Sequence, residues 1–375
     1  MSDSPAPFAH WMLKEIHEQP ATLAATLEQY VDRNGFREEA VAPIRQWLQR
    51  HQHLVFADSG SSRHASLAAE VRIEELTPLA VDVEYASETI YSSSRLHERA
   101  GVVVVSQSGE TVDTLEALRQ AKQRGRATLA ITNVPASSMS READVAMNTA
   151  AGRERAIPAT KSFSGQLLVL ELLALLAAEA HNSATQQTVA QHLDQLRALP
   201  ASIAAQLEDW QQQTKHIAAD YAQKSSFLYV GRAAHYAIAR EGALKLKESA
   251  YVPAEGYPAG ELKHGPNALL SADTPLVMLA TRDVNNADSQ LRYERVLQLM
   301  RDMRAQGASI LAIANAGDEE VQTTATYTIA IDAATEPVNT ISEVIVLQLL
   351  AYYIAIGRGV DVDNPRNLVK AVVAE

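Results

Sequence analysis

The sequence predicts an α/β protein made of two tandem, doubly wound parallel sheets related by duplication. Three observations predict it. At 375 residues the chain has room for two domains, each able to bury its own core. Short β-branched runs alternate with helical patterns along most of its length, as parallel sheets with crossover helices require. The two resulting sets of strands also resemble one another in more than number.

Taken in order, residues 1–35 read as an N-terminal helical segment. The first domain is expected over 36–195, with strands HLVFA (53–57), LAVDVEY (79–85), VVVV (102–105) and TLAIT (128–132). The apolar stretch 163–180 is broken by Ser164, Gln166, Glu171 and Glu179, so it reads as a buried helix and not a membrane span. Helices around 184–222 join the two copies. The second domain is expected over 196–356, with strands FLYV (227–230), PLVMLA (275–280), SILAIA (309–314) and YTIAI (327–331). Residues 357–375 form a C-terminal tail.

The duplication rests on three pairs. QRGRATLAITN (123–133) sits beside AQGASILAIAN (305–315), with the glycine and the asparagine in the same places; VLELLA (169–174) matches VLQLLA (346–351); LVFADSGSS (54–62) corresponds loosely to FLYVGRAA (227–234). Duplication makes differences informative. The third strand of the first copy runs into SQSGET (106–111), whereas its counterpart runs into TRDVNN, so the second copy should hold no second phosphate.

In open α/β sheets, ligands lie beyond the carboxyl ends of the strands, where helix N-termini point free N–H groups. Two hydroxyl-rich loops occupy that place: SGSS (59–62) and SQSGET. They offer Ser59, Ser61, Ser62, Ser106, Ser108 and Thr111 with the amide of Gln107, and Gly60 and Gly109 allow close backbone approach. This inventory suits a phosphate monoester. The competing reading is that these serines and threonines merely cap helices. No nucleotide-binding loop of the G-x-x-x-x-G-K or G-x-G-x-x-G type is present.

A second concentration of chemistry is EGALKLKESAYVPAEGYPAGELKHGP (241–266). Lys245 and Glu248 share a helix face, and a loop bracketed by Gly260, Gly265 and Pro266 presents Glu261, Lys263 and His264. The tail adds Lys370 among Leu368, Val369, Val372 and Val373. Such a tail is expected to pack on the body, where its lysine is either an amine of depressed pKa able to act as a nucleophile or a snorkelling side chain. His51 and His53 share a face at a strand start and read as structural.

The net charge of −12 argues against a nucleic-acid partner. The absence of cysteine removes disulfides and thiolate chemistry, and the N-terminus lacks a signal peptide, so a cytoplasmic location is expected. No membrane partner, cofactor or metal is expected.

SQSGET, EGALKLKE, GELKHGP and DNPRNLVK together resemble the sugar-isomerase half of the glucosamine-6-phosphate synthases, a pair of sugar isomerase (SIS) domains. The resemblance runs from near Met12 to Glu375. It implies that Ser61, Ser62, Ser106, Gln107, Ser108 and Thr111 hold a sugar 6-phosphate. It places a Schiff-base lysine at Lys370, a proton-transfer carboxylate at Glu248, a helix lysine at Lys245 and a ring-opening histidine at His264. The histidine would serve the site of a neighbouring subunit, which implies a homodimer with a shared active site. TKSF (160–163) would also line the sugar site. The chain departs from that family near Asp58 and Ser59, where a cysteine is usual, and in RERAIPA (153–159).

An amidotransferase domain with its catalytic cysteine is not found ahead of the match. The expectation is therefore a SIS-type glucosamine-6-phosphate deaminase, giving fructose 6-phosphate and ammonia. The alternatives are the ammonia-dependent isomerase subunit of a split synthase, an enzyme for another C2-modified hexose phosphate, and a non-catalytic phosphosugar sensor. Glu248, His264 and Lys370 together disfavour the sensor.

Overall fold

A computed structural model describes residues 4–91 and 100–370. It divides into two compact units, each built on a five-stranded, wholly parallel sheet.

The first unit takes Gln19–Glu154, Lys161–Pro200 and the chain from Val369. Its strands are β1 (His53–Asp58), β2 (Ala80–Tyr85), β3 (Ala100–Ser106), β4 (Thr128–Thr132) and β5 (Val145–Asn148), in the order β2-β1-β3-β4-β5. The valine run lies in β3, where every residue is buried, as expected for a central strand covered on both faces. Val102 and Val104 pack against Leu115, Leu118 and Ala121 of the helix Val112–Gln123. The helix Gly60–Leu76 packs instead on Lys161–Ala180. Lys161–Ala180 is long and apolar enough to cross a membrane, but nearly all of it is buried, as a core helix would be.

The second unit takes the chain up to Glu18, Arg155–Thr160 and Ala201–Leu368. Its strands are β6 (Phe227–Gly231), β7 (Ala254–Pro258), β8 (Leu276–Ala280), β9 (Ile310–Asn315) and β10 (Tyr327–Ile331), in the order β7-β6-β8-β9-β10. The same order recurs with the same pairing sense, so the internal likeness of the sequence is carried by topology as well. The helix Glu336–Gly357, buried and equally apolar, takes the place that Lys161–Ala180 has in the first unit.

The eight expected strands all form; two edge strands, β5 and β7, and a short antiparallel ribbon pairing Val31–Asp32 with Gly35–Phe36 at the end of the expected helical segment were not foreseen. The expected boundaries 1–35, 36–195, 196–356 and 357–375 do not coincide with the compact units, and hydrogen bonds explain the difference. The N–H groups of Trp11 and Met12 donate to the Asp363 carboxylate at 2.7 and 3.0 Å, tying the start of the chain to the second unit. The helix Gln19–Tyr30 belongs to the first, because Thr26 Oγ1 accepts from the Ala150 N–H at 2.9 Å and the Tyr30 hydroxyl donates to the Asn148 carbonyl at 2.9 Å. The joining region is one helix, Gln186–Tyr221, with the unit boundary after Pro200.

Candidate functional site

In the order β2-β1-β3-β4-β5, β1 connects to one side of the sheet and β3 to the other. The loops after these neighbouring strands therefore diverge and leave a crevice, the topological switch point where open α/β sheets bind ligands. SGSS follows β1 and SQSGET follows β3, so the fold brings the two hydroxyl loops to one place within the first unit.

Helix capping does not account for them. Ser59 and Thr111 stand at the N-cap positions of Gly60–Leu76 and Val112–Gln123, yet neither side chain makes a capping bond. Ser59 Oγ lies 3.5 Å from Thr114 Oγ1, and Ser106 Oγ lies 3.0 Å from Thr111 Oγ1. Ser106 Oγ also accepts the Gly109 N–H at 3.1 Å, and Ser108 Oγ accepts that of Glu110 at 3.1 Å. Ser61, Ser62, Gln107 and Ser108 are half-buried. Main-chain bonds from Asn133 to the Gln107 carbonyl and from Met139 to the Gly109 carbonyl, both 3.2 Å, anchor SQSGET beneath. Gly109 holds φ at +67°, and a Cβ there would meet Ser137 Oγ at 2.1 Å, so only glycine fits.

Asp58, at the end of β1, stands where the sequence departs from the family pattern. Its carboxylate is fully buried and accepts from the Val105 N–H at 2.6 Å and the Ser66 hydroxyl at 2.5 Å. Burial pushes its pKa up to about 7 against the pull of those two bonds and of Arg63.

Lys370 also lies in the first unit. Its Nζ donates to Glu154 Oε2 at 2.6 Å, and the Glu154 side chain has no exposure. Glu154 further accepts from the Ser162 N–H at 3.1 Å and the Ser162 hydroxyl at 2.7 Å, which ties TKSF to the same carboxylate. The apolar packing expected around Lys370 is therefore corrected. Leu368 and Val369 are exposed, 39% and 68%, and the lysine is held by an ion pair. Val372 and Val373 lie outside the described residues. Glu154, 216 positions from Lys370, gave no local signal.

In the second unit the helix Ala234–Ala250 carries the acid–base residues. Lys245 is wholly buried, with Nζ 2.6 Å from Glu248 Oε2 and 3.3 Å from Glu241 Oε1. Burial disfavours its charge, but the two carboxylates outweigh burial and lift its pKa above the ordinary lysine value. Glu241 is fully buried, while the Glu248 side chain keeps 22% exposure. Among the described residues Glu248 Oε1 has no partner, so this carboxylate is steadied by one oxygen and open at the other. Glu241 was missed although its spacing from Lys245 is the ordinary helical pair. His264 is exposed on the short 3-10 turn Glu261–His264, whose Leu262 is buried and whose Lys263 pairs with Asp302 at 2.6 Å.

The corresponding switch point of the second unit, after β6 and β8, carries Arg232, Ala233, Arg282 and Asp283 and no hydroxyl cluster. Behind it His235 sits between Glu343, 2.8 Å, and Glu336, 3.0 Å, and Thr281 donates to Glu343 at 2.6 Å. Among the described residues no group of three or more acidic, histidine or cysteine side chains is arranged to hold a metal.

Comparison with known proteins agrees with this anatomy. The glutamine–fructose-6-phosphate aminotransferase (isomerizing) of Gloeobacter violaceus is 40% identical over 98% of this chain, and that of Xylella fastidiosa is likewise 40% identical over 98%. The chain spans 59% of the length of each. Among solved structures, the C-terminal domain of the Francisella tularensis glucosamine-fructose-6-phosphate aminotransferase superposes with a TM-score of 0.90 at 32% identity, covering 97% of this chain and all of that one. The glucosamine-6-phosphate deaminase of Thermotoga maritima, with a TM-score of 0.71 and 22% identity over 97% of this chain and all of that one, shares the fold. The SIS domain model matches twice, at residues 48–176 and 220–358, each match containing all five strands of a sheet, and the chain belongs to the SIS domain family.

Proposed function

We propose that this chain interconverts fructose 6-phosphate and glucosamine 6-phosphate, with ammonia as the nitrogen partner. The observation that carries the reading is the pair of hydroxyl loops at the switch point of the first unit, neither used for capping. The similarity to aminotransferases acting on fructose 6-phosphate supplies the substrate and favours this reading over a dedicated deaminase. A catalyst lowers the same barrier in both directions, so release of ammonia from glucosamine 6-phosphate is the same activity run backwards.

In this reading Ser61, Ser62, Ser106, Gln107, Ser108 and Thr111 hold the phosphate, with N–H groups of two helix starts and no lysine or arginine among them. The phosphate does not react, so its binding serves to place C1 and C2 of the sugar. Ammonia adds to the C2 carbonyl of the open ketose and water leaves. Glu248 then removes a proton from C1, passes through an enolamine and returns the proton to C2, leaving an aldehyde at C1. Lys245 acts on Glu248 and not on the sugar, because both carboxylates already occupy its charge. His264 moves the ring-oxygen proton when the pyranose opens or closes. Lys370, held by Glu154 at 2.6 Å, holds the open chain or adds to its carbonyl.

The test supplies purified protein with fructose 6-phosphate and ammonium, and separately with glucosamine 6-phosphate. Product is expected in both. Binding of fructose 6-phosphate without turnover in either direction would reduce the chain to a phosphosugar-binding module. Glu248→Gln should lower kcat by roughly 10²- to 10⁴-fold with KM little changed; full activity in that variant would remove Glu248 from the proton transfer.

A further inference from the structure

We propose that Asp58 is a positioning residue that locks the two phosphate loops of the first unit to one another. The inference rests on the reading of those loops as a phosphate site. Asp58 is the last residue of β1 and directly precedes SGSS; Val105 directly precedes SQSGET. The β1–β3 ladder pairs His53 with Ala100 through to Phe56 with Val103 and stops there. Two residues further along each strand, in the same register, stand Asp58 and Val105. The main chains have ceased to pair, and the Asp58 carboxylate takes over, accepting the Val105 N–H through Oδ1 at 2.6 Å. A side chain thus continues the ladder at the point where the strands must separate to form the crevice.

The other oxygen reaches the helix that SGSS opens. Asp58 Oδ2 accepts from the Ser66 hydroxyl at 2.5 Å, and Ser66 Oγ lies 3.1 Å from the Ser62 carbonyl, one helical turn earlier. One buried carboxylate therefore joins the end of β3 to the second turn of Gly60–Leu76, the helix that begins within SGSS. Arg63, on the first turn of that helix, is the charged group acting on it. Displacing either loop relative to the other would misplace hydroxyls on both sides of a phosphate.

The expected signature is a loss of affinity with less effect on turnover, since the phosphate is held alike in ground and transition states. Fructose 6-phosphate and inorganic phosphate are titrated calorimetrically into wild type, Asp58→Ala, Asp58→Asn and Ser66→Ala, each checked for folding by thermal unfolding. Asp58→Ala should weaken fructose 6-phosphate binding by roughly 10- to 100-fold, raising KM more than it lowers kcat. Asp58→Asn, which keeps an acceptor for Val105, should recover most of that loss, and Ser66→Ala should lose about three- to tenfold. Folded Asp58→Ala and Ser66→Ala variants that bind within about twofold of wild type overturn the clamp alone; if Asp58→Ala does not fold, Ser66→Ala decides. A wild type that binds neither compound overturns the phosphate reading, and the clamp falls with it.

Discussion

Replacing Lys245 by methionine isolates what this buried ion group does. Methionine nearly matches the lysine stem in volume, so the change removes charge and leaves little cavity. At an effective dielectric of about 20, a separation of 2.6 Å corresponds to about 6 kcal/mol of attraction and one of 3.3 Å to about 5 kcal/mol. Much of this is offset by the cost of burying the three charges, so the sum is not the stability lost. What decides the outcome is Glu241, fully buried, which loses the Lys245 charge. Removing one partner of such a pair costs about 3–5 kcal/mol, or roughly 6–20 °C in Tm for a domain of this size. Neutralising the stranded acid in Glu241→Gln/Lys245→Met should return at least about 1.5 kcal/mol. Urea unfolding of the wild type, the single variant and the double variant measures both quantities. In the double variant Glu248 remains but has lost its 2.6 Å donor, so kcat should fall by roughly 10- to 100-fold. A single variant within about 1 kcal/mol of wild type would make this no more than a surface pair. A stable double variant with undiminished kcat would show that Lys245 does not hold Glu248.

Two further outcomes follow from the geometry. Gly109→Ala places a Cβ 2.1 Å from Ser137 Oγ at φ +67°, and should cost about 1–3 kcal/mol in thermal unfolding and raise KM for fructose 6-phosphate; an unchanged KM would detach this loop from the phosphate. His235 is pushed up to about 10, burial opposing and the Glu343 and Glu336 carboxylates prevailing, so its contribution is full below pH 6.5 and is lost as the pH rises through about 10. Its shift corresponds to about 5 kcal/mol, and Glu336, against its burial, is depressed to about 2 by the same His235 contact together with Arg292. Unfolding free energies from pH 6 to 10.5 should decline in wild type and flatten in His235→Gln; equal slopes would refute the assignment.

The strands that sequence reasoning found include all six central ones, whose apolar runs announce full burial, such as TLAIT and PLVMLA, and the two edges, β2 and β10, that keep alternating or β-branched runs, LAVDVEY and YTIAI. The two it missed in the parallel sheets are edges: VAMN has one β-branched residue, and AEGYP carries both a glycine and a proline that argue against a strand. At the site, what was legible was composition at strand tips and pairing within one helix. Glu241 belonged to that class, four residues before Lys245, and could have been found. Asp58 and Glu154 could not, because their partners Val105 and Lys370 lie 47 and 216 positions away and only the folded chain brings them within 2.6 Å. Sequence likewise marked Lys370 by its apolar neighbours, of which Leu368 and Val369 proved exposed.

The duplication gives the strongest reason to tie chemistry to loops and not to the fold. Both sheets have one strand order, and both present a crevice at the same junction. In the first unit that junction is lined by neutral hydroxyls over a single buried carboxylate, Asp58, whose pKa near 7 marks the cost of burying it. In the second, two carboxylates, Glu336 and Glu343, sit behind the junction and take up the His235 charge between them. A phosphate dianion entering there would meet two buried acids already paired, and the arginines in the loops, Arg232 and Arg282, would have to outweigh them. The same topology thus supports opposite electrostatics. If the second junction binds inorganic phosphate as tightly as the first, in a variant whose first cradle is blocked by Gly109→Ala, then loop chemistry is not what selects the anion, and the assignment of the first cradle loses its main ground.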